Sequence, residues 1–321
     1  MILAPQDRQR LEAALEDRLQ RQVPLARYTS ARIGGPAEYL VEVRSSADLA
    51  DVVGELWHMG IPFRVLGGGS NVLVSDEGIA GVVVINQARR VKFLEEKTPP
   101  RVKAESGAVF GSVARRAVDR GLSGLEWAAT IPGTVGGAVV NNAGAHGSDT
   151  AGQLILAEIL QHEEGLESWT PDQFNYDYRS SRLKANPGQA VVLNATFRLK
   201  RSSEVETKEK MQQFVDHRRE TQPTGASWGS MFKNPTDDFA GRLIEAAGLK
   251  GLRVGQAQVS QHHANFFINL GGASASDVWQ LLCRVKEEVK KQFGTDLELE
   301  IERIGKWPPN STNQQNAWGA P

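Results

Sequence analysis

The residues best placed to do chemistry in this 321-residue chain lie in two glycine-rich stretches. The first, Gly67-Gly68-Gly69-Ser70-Asn71, follows the strand-like run Phe63-Arg64-Val65-Leu66. Successive backbone N–H groups at such a place form an anion-binding nest, and glycines let a diphosphate touch the main chain. A plain tight turn accounts for these five residues equally well. Two familiar phosphate loops are excluded by residue type. A dinucleotide-binding GxGxxG needs glycine where Val72 stands, and a Walker loop needs Gly-Lys-Ser/Thr where Ser70-Asn71 stand. The second stretch runs from Ile131-Pro132-Gly133 to Gly147 and contains Gly136, Gly137, Asn142, Ala143 and Gly144. It carries too little side-chain surface to order itself, and closing over a flat isoalloxazine ring and an adenosine diphosphate would give it a reason. As a pair the loops point to a dinucleotide-like cofactor.

Other candidate groups are less informative alone. Glu298, Glu300 and Glu302 alternate near the C-terminus, as they would on one face of a strand. Such a row usually faces water, and spacing does not select among the three. The single cysteine, Cys283, rules out an internal disulfide and reads as a buried, inert thiol. Six scattered histidines and one cysteine offer no zinc-like spacing, so no metal is expected. A formal net charge of −1 argues against a general nucleic-acid binder. No run approaches the ~20 apolar residues that span a bilayer, nor does the N-terminus resemble a signal peptide. A soluble, cytoplasmic protein is expected.

These groups must be held by a mixed set of helices and strands. Leu11, Leu15 and Leu19 predict an opening helix within residues 1–24. A second helix follows Ser46, with Leu49, Val52, Val53 and Leu56 inward and Gly60 as its stop. Strands are expected at Phe63–Leu66, Val82–Ile85, around Val102 and Ala104, and at Gln189–Leu199, with a helix through Phe110, Val113, Ala114 and Ala117. The 131–147 stretch reads as irregular. The polar run Arg201–Lys210 reads as a solvated connector, which places a boundary near residue 203. Beyond it, Asp237 or Asp238 caps a helix through Phe239, Leu243 and Ile244 that stops at Gly248. Another helix starts near Ser276-Asp277, and Leu297–Glu302 alternates as a final strand. The tail from Trp307 to Pro321 reads as disordered.

Taken in order, several motifs resemble the UDP-N-acetylenolpyruvoylglucosamine reductase (MurB) family. They are Tyr28–Ala37, Leu66–Asn71, the Ile131–Gly147 loop, Tyr178-Arg179-Ser180-Ser181, Gly229–Pro235 and Ala264-Asn265-Phe266. The resemblance covers roughly residues 25 to 305. It implies an α+β protein: a two-lobed FAD-binding fold of the vanillyl-alcohol oxidase (PCMH) type over 25–203, with lobes at about 25–87 and 88–203, then a C-terminal α+β substrate domain over 204–306. It implies non-covalent FAD, NADPH as co-substrate, a UDP-sugar as substrate and a place in peptidoglycan precursor synthesis. No long tyrosine-bearing insertion follows Arg179, so the shorter subtype is implied.

Site residues carry over position by position. Ser230 matches the family's proton donor, Arg179 the arginine that pairs with the substrate carboxylate, and Glu300 the glutamate that assists. Taken singly, Ser230 would read as a turn serine and Arg179 as a surface arginine. Cofactor contacts are expected from Gly67, Gly68, Gly69, Ser70, Asn71, Thr130, Pro132, Gly133, Gly136, Gly137, Asn142, Ala143 and Gly144. Substrate contacts are expected from Tyr178, Lys233, Asn234 and His263, with Gln258 a weaker candidate. Three departures are noted: His146 where many members have tyrosine, Trp228 where a small residue is usual, and Thr221 where lysine is frequent. A flavin oxidase would explain the loops but not Arg179 or the Ser230–Asn234 motif. A silent nucleotide-binding protein would not need the three matched catalytic residues.

Overall fold

The computed structural model describes residues 3–307. Its first body is a four-stranded sheet in the order Gln20–Pro24, Pro36–Val43, Ile79–Asn86, Phe63–Leu66. The first pair is antiparallel and the other two are parallel. Ile79–Asn86, with a neighbour on each side, is buried along nearly all its length, as a near-continuous apolar strand should be. The Ser46–His58 helix packs Leu49, Val52, Val53 and Leu56 into this body's core. Ser45 caps it by accepting from the Asp48 N–H, and Gly60, at φ +66°, turns the chain out.

The opening segment differs from its expectation. Its helix covers only Pro5–Leu15, and Gln20–Pro24 is a strand pairing with Pro36–Leu40. Leu19 therefore lies past the helix. Leu11 and Leu15 carry the helix's burial alone, and Val23 and Pro24 suit an edge strand.

The second body is a five-stranded antiparallel sheet in the order Gly165–Trp169, Leu154–Gln161, Ala190–Arg198, Arg101–Glu105, Val91–Leu94. The Phe110–Val118 helix packs against it through Phe110, Val113, Ala114 and Ala117. Two corrections fall here. The supposedly irregular 131–147 stretch contains a helix, Val135–Asn141, capped by Thr134, which accepts from the Gly137 N–H. Tertiary burial of Val135, Ala138 and Val139 outweighs the low helix propensity of Gly136 and Gly137. The run after residue 203 is no connector but the first half of a helix, Glu204–Thr221, opened by a Ser203/Glu206 capping box. This helix is polar on most sides, yet Met211 and Phe214 pack against the second body's core and the Thr207 hydroxyl donates to the Val118 carbonyl at 3.1 Å.

A third body has the antiparallel order Ser227–Ser230, Phe266–Asn269, Ala257–Val259, Arg253–Val254, covered by the helices Ala240–Ala246 and Ala275–Phe293. The long helix starts at Ala275, close to the expected Ser276-Asp277, and is capped by Ser274 in a capping box with Asp277. Phe239 occupies the N-cap position of the short one, and its first N–H, that of Ala240, is received by Asn234 rather than by Asp237 or Asp238. Cys283 is half-buried, and burial raises its thiol pKa. The strand expected at 297–302 is instead Glu302–Ile304, sharing only Glu302 with the expectation and pairing in parallel with Val72–Val74 of the first body. Of the tail expected to be disordered from Trp307 on, Trp307 itself is held in place, donating from Nε1 to the Ile304 carbonyl at 3.1 Å, and the rest lies outside the described residues. Among the described residues, no helix is long and apolar enough to cross a membrane.

Several bonds join the third body to the first. Trp228 Nε1 donates to the Val72 carbonyl at 2.7 Å, the Ser30 hydroxyl to the Ser227 carbonyl at 2.7 Å, and Asn269 Nδ2 to the Ala31 carbonyl at 2.9 Å. The Asp76 carboxylate accepts from the Ala275 and Ser276 N–H groups at the start of the long helix, where the dipole favours a negative charge.

Candidate functional site

The three bodies enclose a cavity of about 370 Å³, within the usual range for small-molecule sites. Both glycine loops form its floor: Gly67 to Asn71 on one side, Pro132, Gly133, Gly136 and Gly137 on the other. The loops cross closely. A Cβ on Gly68 would sit 3.0 Å from the Gly133 Cα, one on Gly136 would sit 2.9 Å from the Ser106 Cβ, and one on Gly67 would collide with the Thr134 hydroxyl. Glycine is thus required for the approach itself. The bare backbone left behind suits a diphosphate joined to flat ring systems, so the cradle fits FAD.

Asn71 ties the two loops to the 300–302 segment. Its side-chain N–H group donates to Asn141 Oδ1 and to the Glu300 carbonyl, both at 3.3 Å, and its own carbonyl accepts from the Glu302 N–H at 2.9 Å. Ala143 and Gly144 also line the cavity. Thr130 and Asn142 do not: the Thr130 carbonyl accepts from Arg218, while Asn142 is the left-handed C-cap of the Val135–Asn141 helix and bonds Asp177 and Ala151.

Ser230, Arg179 and Glu300 all line this cavity. Ser230 ends the Ser227–Ser230 strand. The next residues run beside 298–300, with the Glu300 N–H donating to the Met231 carbonyl at 2.9 Å and the Lys233 N–H to the Glu298 carbonyl at 2.8 Å. Arg179 Nε stands 2.9 Å from Glu300 Oε1, both side chains mostly buried. This is an ion pair rather than a hydrogen bond, because the Nε–H is not aimed at the oxygen and has no other acceptor. The terminal nitrogens reach the Gly144 carbonyl at 2.8 Å and the Asn142 carbonyl at 3.4 Å. Arg179 has φ +54°, a left-handed conformation costing a residue with a Cβ about 1–3 kcal/mol. Burial raises the Glu300 carboxyl above its ordinary pKa, and the nearby Arg179, Lys184 and Lys233 charges oppose that rise only in part.

The three glutamates do not share a solvated face. Glu298 pairs with Lys233 Nζ at 2.6 Å, Glu300 with Arg179, and Glu302 with Arg64. The proposed substrate contacts fare unevenly. Tyr178 is half-exposed, with the Arg179 guanidinium 5.5 Å from its ring centre. Lys233 and Asn234 lie outside the cavity wall, engaged by Glu298 and Ala240. His263 is packed within the third body: its Nδ1 accepts from the Asn265 N–H at 3.2 Å and its ring meets Phe266 at 4.8 Å. Gln258 is buried and donates to the Gly251 carbonyl.

Sequence reasoning passed over Arg64, Lys184, Arg218 and Glu302, all on the cavity wall. Glu302 was visible only as one of an alternating row, and the other three were lone basic residues with no local signal. Of the noted departures, Trp228 is buried and serves the inter-body bond. His146 stacks on Phe214 at 4.2 Å and so binds the second loop to the Glu204–Thr221 helix. The Thr221 hydroxyl donates to the His217 carbonyl one turn back.

Residues 221–304 match the family model "UDP-N-acetylenolpyruvoylglucosamine reductase, C-terminal domain", and residues 37–162 match "FAD binding domain". A UDP-N-acetylenolpyruvoylglucosamine reductase of Rubrobacter xylanophilus is 45% identical over 284 residues, covering 88% of this chain and 94% of its own length. A second such reductase, from Symbiobacterium thermophilum, is 42% identical and covers 94% of this chain and 97% of its own. The crystal structure of the Thermus caldophilus reductase superposes with a TM-score of 0.76 at 35% identity, covering 91% of this chain and 99% of the other.

Proposed function

The chain belongs to the UDP-N-acetylenolpyruvoylglucosamine reductase family, and we propose that Arg179, Ser230 and Glu300 carry out its chemistry. The protein is an FAD-containing, NADPH-dependent oxidoreductase of the two-lobed PCMH type with a C-terminal substrate domain. It reduces the enolpyruvyl ether of UDP-N-acetylglucosamine to UDP-N-acetylmuramate, in peptidoglycan precursor synthesis. Its ligands are soluble, and the cytoplasm is the compartment we assign.

Bound in this cradle, FAD would supply the redox chemistry, passing hydride from NADPH to the terminal carbon of the enolpyruvyl group. The residues around it have three tasks. The glycine loops, which approach closely at Gly68 and Gly133, would hold the diphosphate. Arg179 pairs with the substrate carboxylate, into which negative charge spreads as the alkene is reduced; a planar, permanently charged, bidentate donor suits that task. The off-axis Arg179 Nε–H supports this role, since it is a buried donor whose hydrogen bond is still to be made. Ser230 gives its hydroxyl proton to the carbon next to the carboxylate. A hydroxyl is a weak acid, but the enediolate-like carbon is a strong enough base for the transfer. Glu300 orients Arg179 and, with a raised pKa, helps return a proton to Ser230.

One observation carries the reading: Ser230, Arg179 and Glu300 line the same cavity as the two glycine loops, with Arg179 bonded to the Gly144 carbonyl and Glu300 to Asn71. The test separates the two half-reactions under anaerobic conditions. With Ser230→Ala, NADPH should bleach the flavin at a near-normal rate, while reoxidation by the enolpyruvyl sugar slows by about 10²–10⁴-fold. Near-normal reoxidation would remove Ser230 from the mechanism.

A further inference from the structure

Lys184, on the cavity wall, touches the main chain of Arg179. Its Nζ donates to the Arg179 carbonyl at 3.0 Å. The short Arg182–Ala185 turn of helix that carries it is fixed from both sides. Ser181 caps the turn by accepting from the Lys184 N–H at 3.1 Å and donates its own hydroxyl proton to the Val140 carbonyl at 2.6 Å. Lys184 is thereby anchored to the Val135–Asn141 helix inside the second glycine stretch.

Two features of Arg179 call for such a support. Its backbone is left-handed, and the local bonds that hold it are a reciprocal pair between Asp177 and Ser180, at 3.3 and 3.1 Å. Its guanidinium must at once reach the Gly144 carbonyl, stand beside Glu300 and leave Nε–H free for an acceptor. A small rotation at residue 179 would break that arrangement. The Lys184 ammonium pins the carbonyl end of the same peptide.

The surrounding charges fit a second part of the role. Glu302 and Glu300 face the ammonium, as do the cations of Arg179 and Lys233, and Arg64 holds Glu302 from the other side. Burial disfavours the ammonium, and the two carboxylates oppose that effect. Reciprocally, Lys184 is one of the charges that favour an ionised Glu300.

We infer that Lys184 is a positioning residue for the second half-reaction: it locks the left-handed Arg179 in place for the substrate carboxylate and balances the Glu300–Glu302 carboxylates. The inference rests on the reading of Arg179 as the carboxylate clamp.

The experiment uses the FAD-loaded full chain with Lys184→Met, Lys184→Gln and Lys184→Arg, and follows both half-reactions anaerobically as a function of pH. Lys184→Met loses donor and charge, and its reoxidation by the enolpyruvyl sugar should slow by about 10–100-fold, the span of one charge-assisted hydrogen bond. Flavin bleaching by NADPH should stay within about threefold, because Arg179 has no part in that step. The pH at which Glu300 ionises, read from the reoxidation profile, should move upward, since a cation favouring the carboxylate has gone. Lys184→Gln keeps a donor without charge and should recover rate but not the profile; Lys184→Arg should recover the profile. The inference is overturned if Lys184→Met reoxidises normally with an unmoved profile, or if both half-reactions slow equally as FAD is lost. Should Lys184→Met not fold, the opposite behaviour of the Gln and Arg variants still decides it. If the unaltered enzyme were not reoxidised by the sugar at all, the functional reading would fail first, independently of Lys184.

Discussion

Arg179 and Glu300 stand 2.9 Å apart on separate bodies of the protein, paired by charge yet misaligned for a hydrogen bond. The pair is therefore tight enough to orient the guanidinium and loose enough to accept a third group.

Replacing Arg179 by lysine keeps the charge but loses the planar fork. Reoxidation of reduced flavin by the enolpyruvyl sugar is expected to fall by about 10–100-fold, corresponding to the ~1.5–3 kcal/mol of a charged hydrogen bond. NADPH-driven bleaching, measured on the same sample, should change little. Equal losses in both steps would point to a damaged flavin site instead.

Glu300→Gln should separate stability from activity. Burial raises the Glu300 pKa in the folded protein, so the native state keeps its proton to higher pH than the unfolded chain does. The carboxyl thus contributes least to stability at neutral pH, and stability falls as pH rises from the ordinary glutamate value through the raised one. The amide is expected to melt at or above the wild-type temperature at pH 7, with the difference closing as pH is lowered below that window. Its reoxidation rate should nevertheless drop. A variant that melted well below wild type at pH 7 and drew level only in base would contradict this sign.

Gly68→Val places a branched side chain where a Cβ already lies 3.0 Å from the Gly133 Cα. The two loops would be pushed apart, and the purified protein should be colourless or bind added FAD at least about tenfold more weakly, a loss of ~1.4 kcal/mol. Circular dichroism should remain that of a folded protein, because Gly68 lies on the cavity floor rather than in a core. A yellow product with unchanged affinity would show that the crossing is not part of the cofactor site.

Much of the fold was readable from local pattern. The Ser46–His58 helix announced itself by its apolar stripe and its glycine stop. The 131–147 stretch misled, because two helical glycines hid a helix whose formation depends on Val135, Ala138 and Val139 finding a core elsewhere in the chain. The polar start of the Glu204–Thr221 helix was misjudged although Ser203 and Glu206 form a capping box that local sequence does encode. At the site, residue types in family motifs marked Arg179, Ser230 and Glu300. Alternation did not: the 297–301 segment is no strand, and what distinguishes Glu300 from Glu298 and Glu302 is which distant cation meets it. Such pairings are set by tertiary approach, and neither Lys184 nor Arg64 carries any signal of its own.

The parallel pairing of Glu302–Ile304 with Val72–Val74 has a consequence for dissection of the protein. Among the described strands, Val72–Val74 has no other partner, so the segment leaving the first glycine loop is completed only when the far end of the polypeptide returns to it. Cutting the chain before Glu302 would therefore strip an edge from the cofactor half and remove the Glu302 N–H that donates to the Asn71 carbonyl of the first glycine loop. The two halves are interlocked rather than modular, and an excised N-terminal fragment is not a miniature flavoprotein.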